Sequence, residues 1–131
     1  MNFNDKVRAM ALRLIGNNNA VLAATEPKIY VALLTQNGTD APVAVIGKNT
    51  LGGEVVWTRD STGLYEGTLE NAFTVDKTFI FQNLPTKQSA NEAIITVTSN
   101  GDDVIRINVY DDTYTNVDGF DKLSIKIEVY P

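Results

Sequence analysis

Apolar and polar residues alternate with a period of two through most of the chain after Lys28. Between residues 123 and 129, four branched apolar residues are separated by single polar residues, and residues 105–109 repeat this pattern. Such alternation is typical of a strand with one face on a core and the other in solvent. It predicts a chain dominated by antiparallel β-structure.

Eight segments have this strand character, and turn residues such as Asn37-Gly38 and Asn100-Gly101 lie between them. They are residues 28–35, 42–47, 54–59, 63–69, 78–82, 93–98, 103–110 and 123–130. The connections are too short for the crossover helices of a parallel sheet. We therefore predict an antiparallel β-sandwich, Ig-like or jelly-roll-like, that occupies residues 26–131.

The first 25 residues have a different pattern and predict an N-terminal helix or arm. Asn4 is the expected N-cap, and an apolar stripe of helical spacing follows it, formed by Val7, Met10, Ala11 and Leu14. Gly16 and the three Asn after it are expected to end the helix. Residues 1–25 carry a net charge of +2, whereas the rest of the chain carries −7.

The hairpin around Asn100-Gly101 is predicted to have a two-residue type I′ turn. This turn pairs Val97 with Val104 and Ile94 with Ile107, and residues that face each other share a side of the sheet. The core side would then carry Ile94, Thr96, Ile105, Ile107 and Val109.

Apolar residues also lie on the other side of this predicted hairpin and need a cover. The cover is either the N-terminal helix or a neighbouring subunit. Tyr110 and Tyr130 fall on the polar faces of their strands, and tyrosine is enriched at subunit contacts. The candidate protein interface is therefore Ile95, Val97, Val104, Tyr110 and Tyr130.

The residue types that are missing narrow the possible functions. The 131-residue chain has no His and no Cys, so Ser-His-Asp triads, thiolate nucleophiles and thiolate metal sites cannot form. Its net charge of −5 and the lack of a basic cluster argue against nucleic-acid binding. No apolar run approaches the length of a membrane helix. We expect a protein that is not an enzyme and needs no cofactor.

One acidic loop has the composition of a Ca²⁺ site, since oxygen ligands are supplied at close spacing by Asp111, Asp112, Asn116, Asp118 and Asp121. An EF-hand alignment on the glycine within it would place Tyr114 and Ile125 at ligand positions, which neither side chain can fill. We interpret residues 111–121 as a polar hairpin loop, with a weak Ca²⁺ site as the alternative.

The aromatic residues leave two interpretations open. Trp57 is two residues from Val55 and on its face, which favours a core position. The alternative is a carbohydrate-binding platform, in which Trp57 and exposed tyrosines stack on sugar rings.

Residues 28–69 resemble a segment found in small β-rich proteins of tailed bacteriophages, crAss-like phages included. The motifs that carry the resemblance are Lys28–Leu34, Thr35-Gln36-Asn37-Gly38-Thr39-Asp40-Ala41-Pro42-Val43-Ala44, Asn49-Thr50-Leu51-Gly52, Val56-Trp57-Thr58-Arg59 and Ser61-Thr62-Gly63-Leu64-Tyr65. The resemblance implies a phage-encoded virion component and transfers no catalytic residue.

Together, the pattern and the resemblance lead to the expectation of a non-enzymatic structural protein of the virion: a capsid decoration, a head fibre or a tail or neck accessory. Its expected partners are further copies of itself and other virion proteins. The alternative is a carbohydrate-binding module for host adhesion.

Overall fold

The computed structural model describes residues 2–8, 10, 25–83 and 94–131. Residues 3–8 and 10 are helical. The strands are β1 (Lys28–Gln36), β2 (Val43–Asn49), β3 (Val56–Ser61), β4 (Leu64–Thr68), β5 (Thr78–Gln82), β6 (Ile94–Asn100), β7 (Val104–Tyr110) and β8 (Phe120–Val129). All eight predicted strands are confirmed, each with ends within three residues of the prediction.

The strands form two four-stranded antiparallel sheets. Sheet A has the order β2-β1-β8-β5, and sheet B has the order β3-β4-β7-β6. The buried core takes side chains from both, with Tyr30 and Ile127 from sheet A and Tyr65 and Ile107 from sheet B. This is the predicted β-sandwich, in which each sheet turns one face inward.

The period-two alternation fixes which side chains enter the core. In β8, Leu123, Ile125 and Ile127 are fully buried, and in β7 Ile105 and Ile107 are fully buried. The polar residues between them lie on the outer faces of the two sheets. The faces predicted for these two strands are confirmed.

Trp57 is a core residue, as its position beside Val55 predicts. Its side chain is 8% exposed, and its ring lies over Gly67 on the neighbouring strand β4. A Cβ at Gly67 would lie 2.8 Å from the ring atom Cη2, which is far inside contact distance. Gly67 therefore makes room for the indole.

The N-terminal helix is capped by a different residue from the one predicted. The side-chain Oδ1 of Asn2, not Asn4, accepts the backbone N–H of Asp5 at 2.9 Å, and the helix begins at residue 3. Because Asn4 already lies inside the first turn, it cannot act as the N-cap. The expected end of the helix at Gly16 lies outside the described residues.

The predicted register of the β6–β7 hairpin is wrong. Val97 pairs with Ile107, not with Val104, and Asn100 pairs with Val104, so the loop holds three residues, 101–103. This shift of three residues reverses the faces of β6, because a strand has a period of two. Ile95 is buried in the core, and Ile94 and Thr96 lie on the outer face.

A neighbouring segment explains the longer loop. The backbone carbonyl of Asp102 accepts the N–H of Phe73 at 2.7 Å, and the carbonyl of Asp103 accepts the N–H of Leu69 at 2.9 Å. The carboxylates of the same two residues accept the N–H groups of Val75 and Asn71. Asp102 and Asp103 thus bind residues 69–75 and are not available for the β6–β7 ladder.

Candidate protein interface

The outer face of sheet A is unusually apolar for a surface. Residues that are opposite each other in a sheet share a face, so the register assigns this face directly. Leu33 pairs with Val45, Phe79 pairs with Glu128, and none of these side chains enters the core. Its exposed large apolar residues are Leu33, Val43, Val45, Phe79 and Phe81.

A polar row on β8 divides this face into two flanks. The row consists of Ser124, Lys126 and Glu128, and the Lys126 Nζ lies 2.7 Å from Glu128 Oε1. The Tyr130 hydroxyl donates to Glu128 Oε2 at 3.0 Å. The Lys126 contact, helped by Tyr130, holds the pKa of Glu128 below its usual value. Hydrogen bonding to Glu128 raises the pKa of Tyr130. The row is thus internally paired.

The β5 flank is aromatic and consists of Phe79, Phe81 and Tyr130. The rings of Phe79 and Tyr130 meet edge to face, with centroids 5.6 Å apart and planes at 88°. With Glu128, the three rings line a shallow concavity of about 380 Å³. The aromatic pair fixes the orientation of both rings while leaving a large part of each in solvent.

The β2 flank is aliphatic and consists of Leu33, Val43 and Val45. Val43 is 68% exposed and Val45 is 67% exposed. Both belong to β2, which has β1 as its neighbour and ends sheet A. Monomeric proteins seldom leave such residues together at a sheet edge, because an unpaired apolar strand recruits other strands.

A cleft of about 300 Å³ opens between β2 and β3, on the side where the two sheets part. Trp57 lies in it, and its Nε1 donates to the Tyr30 hydroxyl at 3.0 Å. Burial raises the pKa of Tyr30, so its hydroxyl stays protonated and accepts the indole proton through its oxygen. Glu54 lines this cleft, and among the described residues no second carboxylate does. It therefore lacks the paired acids of a carboxylate hydrolase.

The most perturbed carboxylate in the described residues has a structural role. Asp118 accepts both Arg59 Nε at 3.1 Å and Arg59 Nη2 at 2.8 Å, and it also accepts the Gly63 N–H and the Tyr65 hydroxyl. The Arg59 hydrogen bonds, with those from Tyr65 and Gly63, lower the pKa of Asp118 to about 2. Burial and Asp118 together raise the pKa of Tyr65. These contacts fasten the β7–β8 connection to sheet B.

The carboxylates of the acidic loop 111–121 bind separate partners and do not converge on one site. Asp111 Oδ1 accepts the N–H groups of Thr113 and Thr115, Asp118 binds Arg59, and Asp121 accepts the hydroxyl of Thr35. In the described part of the chain, no group of three or more His, Cys, Asp or Glu side chains is placed to hold a metal ion. The weak Ca²⁺ alternative has no geometric support here.

The structure does not bring the five sequence-predicted interface residues together. Ile95 is buried in the core and Val97 packs against it, because the β6 faces are reversed. Val104 and Tyr110 are half-buried on the outer face of sheet B, whereas Tyr130 directly follows β8 of sheet A. Of the five, Tyr130 alone borders the apolar face of sheet A.

Apart from Tyr130, the residues of the two flanks were missed by the period-two analysis, although a signal for the β2 flank was present. Residues 29–34 form an unbroken apolar run, and residues 43–46 form another. A continuous apolar run predicts a strand that needs cover on both faces. Applied to these segments, that rule would have placed Leu33 and Val45 on a second, uncovered face.

No helix among the described residues is long and apolar enough to span a membrane. A comparison of the chain with models of protein families, with curated proteins and with solved structures gave no match.

Proposed function

We propose that this chain is a non-enzymatic structural subunit of a tailed-phage virion, acting through contacts between subunits. In the virion it would serve as a capsid decoration protein, a head fibre, or an accessory protein of the tail or neck. The observation that carries the proposal is the outer face of sheet A, where two exposed apolar flanks border an internally paired polar row. Exposed apolar patches rimmed by polar groups mark interaction surfaces.

The chemistry of the described residues supports a binding role over turnover. Asp118 and Glu128, whose pKa values are lowered, are each held by a cation and a tyrosine hydroxyl. Both stay ionised near neutral pH, so neither can act as a general acid there, and a lowered pKa makes each of them a weak base.

The assignment to a virion is supported by the phage resemblance of residues 28–69. That segment contains β1 and β2, so it includes the whole β2 flank. In the proposed particle, each copy would bury this surface against a symmetric neighbour, and repetition of the contact would give avidity.

The first test is the mass of the purified full chain by light scattering over a range of concentrations. We expect an oligomer whose mass falls on dilution, and a shift toward monomer when Phe81→Ser and Val45→Ser are combined. Val56→Ser, at an exposed valine of sheet B, is the matched control and leaves the mass unchanged. A monomer at every concentration contradicts assembly through this face.

Mass spectrometry of purified virions of the encoding phage tests whether the chain is a component of the virion.

A carbohydrate-binding module is the second candidate. The observation that favours it is the exposed aromatic cluster of Phe79, Phe81 and Tyr130 beside a carboxylate. Against it, Trp57 is buried, and the planes of Phe79 and Tyr130 stand at 88°, so these two rings do not form a flat platform. Glycan-array binding that is lost in Phe79→Ala and kept in Val56→Ala would favour this candidate.

A further inference from the structure

In the described part of the chain, strand β2 is an exposed edge of sheet A that carries few of the features that protect an edge strand against pairing. Natural edge strands are protected by inward charges, prolines, β-bulges or a covering segment, and of these the described part of β2 has only a bulge at Gly47. Within Val43–Asn49 there is no proline and no acidic residue, and the one charge is Lys48, next to the C-terminal end. Three of its side chains, Val43, Val45 and Ile46, are large, apolar and exposed.

The other edges of the sandwich differ from β2. Strand β3 carries Arg59 and Asp60, and β6 is rich in Thr and Ser. Strand β5 runs along the side where the sheets approach, and Gln82 Nε2 donates to the Ile95 carbonyl of β6 at 2.9 Å. Strand β2 is therefore the edge best suited to receive another strand.

From this edge we infer that β2 pairs antiparallel with β2 of a second copy of this chain, which joins two sheets A into one continuous sheet. The inference rests on the proposed function and names the partner for the β2 flank. The contact is isologous, since the same strand is used by both copies around a twofold axis.

The sequence of β2 is self-complementary in this arrangement. With Val45 on the axis, Val45 faces its own copy, Val43 faces Gly47, and Ala44 faces Ile46. Side chains keep their faces in this register, because opposed residues share a side of the sheet. Leu33 already pairs with Val45 inside each copy. An apolar row would thus run Leu33–Val45–Val45–Leu33 across the joint.

Charge and shape agree with this register. The two Lys48 residues would lie about 20 Å apart along the joint, beyond a Debye length at physiological salt. Gly47 has no side chain to meet the exposed Val43 of the other copy. The bulge in the β1–β2 pairing lies between Val31 and Ala32 and leaves Gly47 as the extra residue on β2, two residues from Val45 on the proposed axis.

Single cysteines test the register, because the chain has none of its own. In the full chain, Val45→Cys should form a disulfide-linked dimer under mild oxidation, since its Cα atoms would lie about 4.5–5.5 Å apart. Val43→Cys is the matched control: it has the same strand, face and exposure, but its Cα atoms would lie about 14 Å apart. We expect cross-linking of Val45→Cys to be at least about tenfold faster, because paired thiols reach millimolar effective concentration.

The result that overturns the inference is equal cross-linking of Val43→Cys and Val45→Cys. If light scattering shows an oligomer but the two rates are equal, this pairing fails while the proposed subunit contacts survive. If the chain is a monomer throughout, both fail. The Val45→Cys variant can also be a monomer whose thiol reacts only after residues 1–20 are deleted. That result would mean that the N-terminal segment covers β2, and it would also overturn the inference.

A second variant keeps the test independent of thiol chemistry. Val45→Lys places two like charges on the axis, where they repel, while the exposed side chain has no part in the core. We expect the dimer to dissociate with an unchanged circular dichroism spectrum and melting temperature at low concentration. A dimer of unchanged stability overturns the proposed pairing.

Discussion

The indole Nε1 of Trp57 donates to the hydroxyl of Tyr30 at 3.0 Å, and this bond joins sheet B to sheet A across the core. We expect Tyr30→Phe to lower the free energy of unfolding by about 1–3 kcal/mol, because it leaves a buried N–H without its acceptor. Urea denaturation followed by Trp57 fluorescence measures the effect. In a double-mutant cycle with Trp57→Phe, the two losses should be far from additive; strict additivity contradicts the coupling.

Gly67→Ala should destabilise the protein by about 1–3 kcal/mol, since the new methyl group would overlap the Trp57 ring. The indole must move, so its emission should shift to longer wavelength as the ring becomes more exposed. Gly38→Ala is a control for the loss of glycine alone, because no atom lies within 4 Å of the Cβ position there, although its positive φ adds backbone strain. An unchanged emission maximum in Gly67→Ala would contradict the packing described here.

The free energy of unfolding should decrease at acidic pH, because protonation of Asp118 weakens its hydrogen bonds. Its pKa is lowered from 3.8 to about 2 in the folded protein, so the folded state binds this proton less readily than the unfolded chain. The stabilisation is therefore complete above about pH 4 and is lost as the pH falls toward 2. It amounts to about 2 kcal/mol. Asp118→Asn should remove this part of the pH dependence, as thermal melts between pH 2 and pH 5 can show.

A pair of neighbouring substitutions tests the observed β6–β7 register. Ile95→Asp should unfold the domain, because it buries an unpaired charge in the core. Ile94→Asp, one residue earlier and on the outer face, should cost far less. The two circular dichroism melts compare the variants directly. If Ile94→Asp were the more destabilising variant, the result would contradict the observed register and support the two-residue turn.

Gly101→Val should destabilise the same hairpin by about 1 kcal/mol or more, since Gly101 has a φ of 75° and a β-branched residue resists that region. No atom lies within 4 Å of the Cβ position, so the cost is conformational and not steric. Gly101→Asn, which tolerates positive φ better, should recover part of the loss. Equal melting temperatures for wild type and Gly101→Val would contradict the assigned backbone conformation.

The sequence was sufficient to predict the strands and the faces of β7 and β8, because a strand that is buried on one side alternates apolar and polar residues. The register of β6 was not predictable from its turn residues. Asn100-Gly101 has the composition of a two-residue turn, but Asp102 and Asp103 bind the backbone of residues 69–75. A contact between segments about 30 residues apart decided the loop length, and local turn preferences contain no such information.

The candidate site was predicted less well than the fold, for a related reason. The interface hypothesis depended on the β6 faces, so the register error placed Ile95 and Val97 on the surface. Tyr110 and Tyr130 were assigned to one interface, but they lie on different sheets, and alternation along one strand cannot supply the strand order that separates them. Trp57, by contrast, was correctly predicted as a core residue, since its face follows from Val55 two residues away.

Gln36 is fully buried at the end of β1, and its side-chain amide is hydrogen-bonded at both its nitrogen and its oxygen. Its Nε2 donates to the carbonyls of Gly38 at 2.9 Å and Asp40 at 2.8 Å, while its Oε1 accepts the Gly119 N–H at 2.7 Å. One amide thus sets the path by which the chain turns from β1 into β2. A strand held in this way is preorganised, so an incoming partner would meet a ready template and little conformational freedom would be lost on docking.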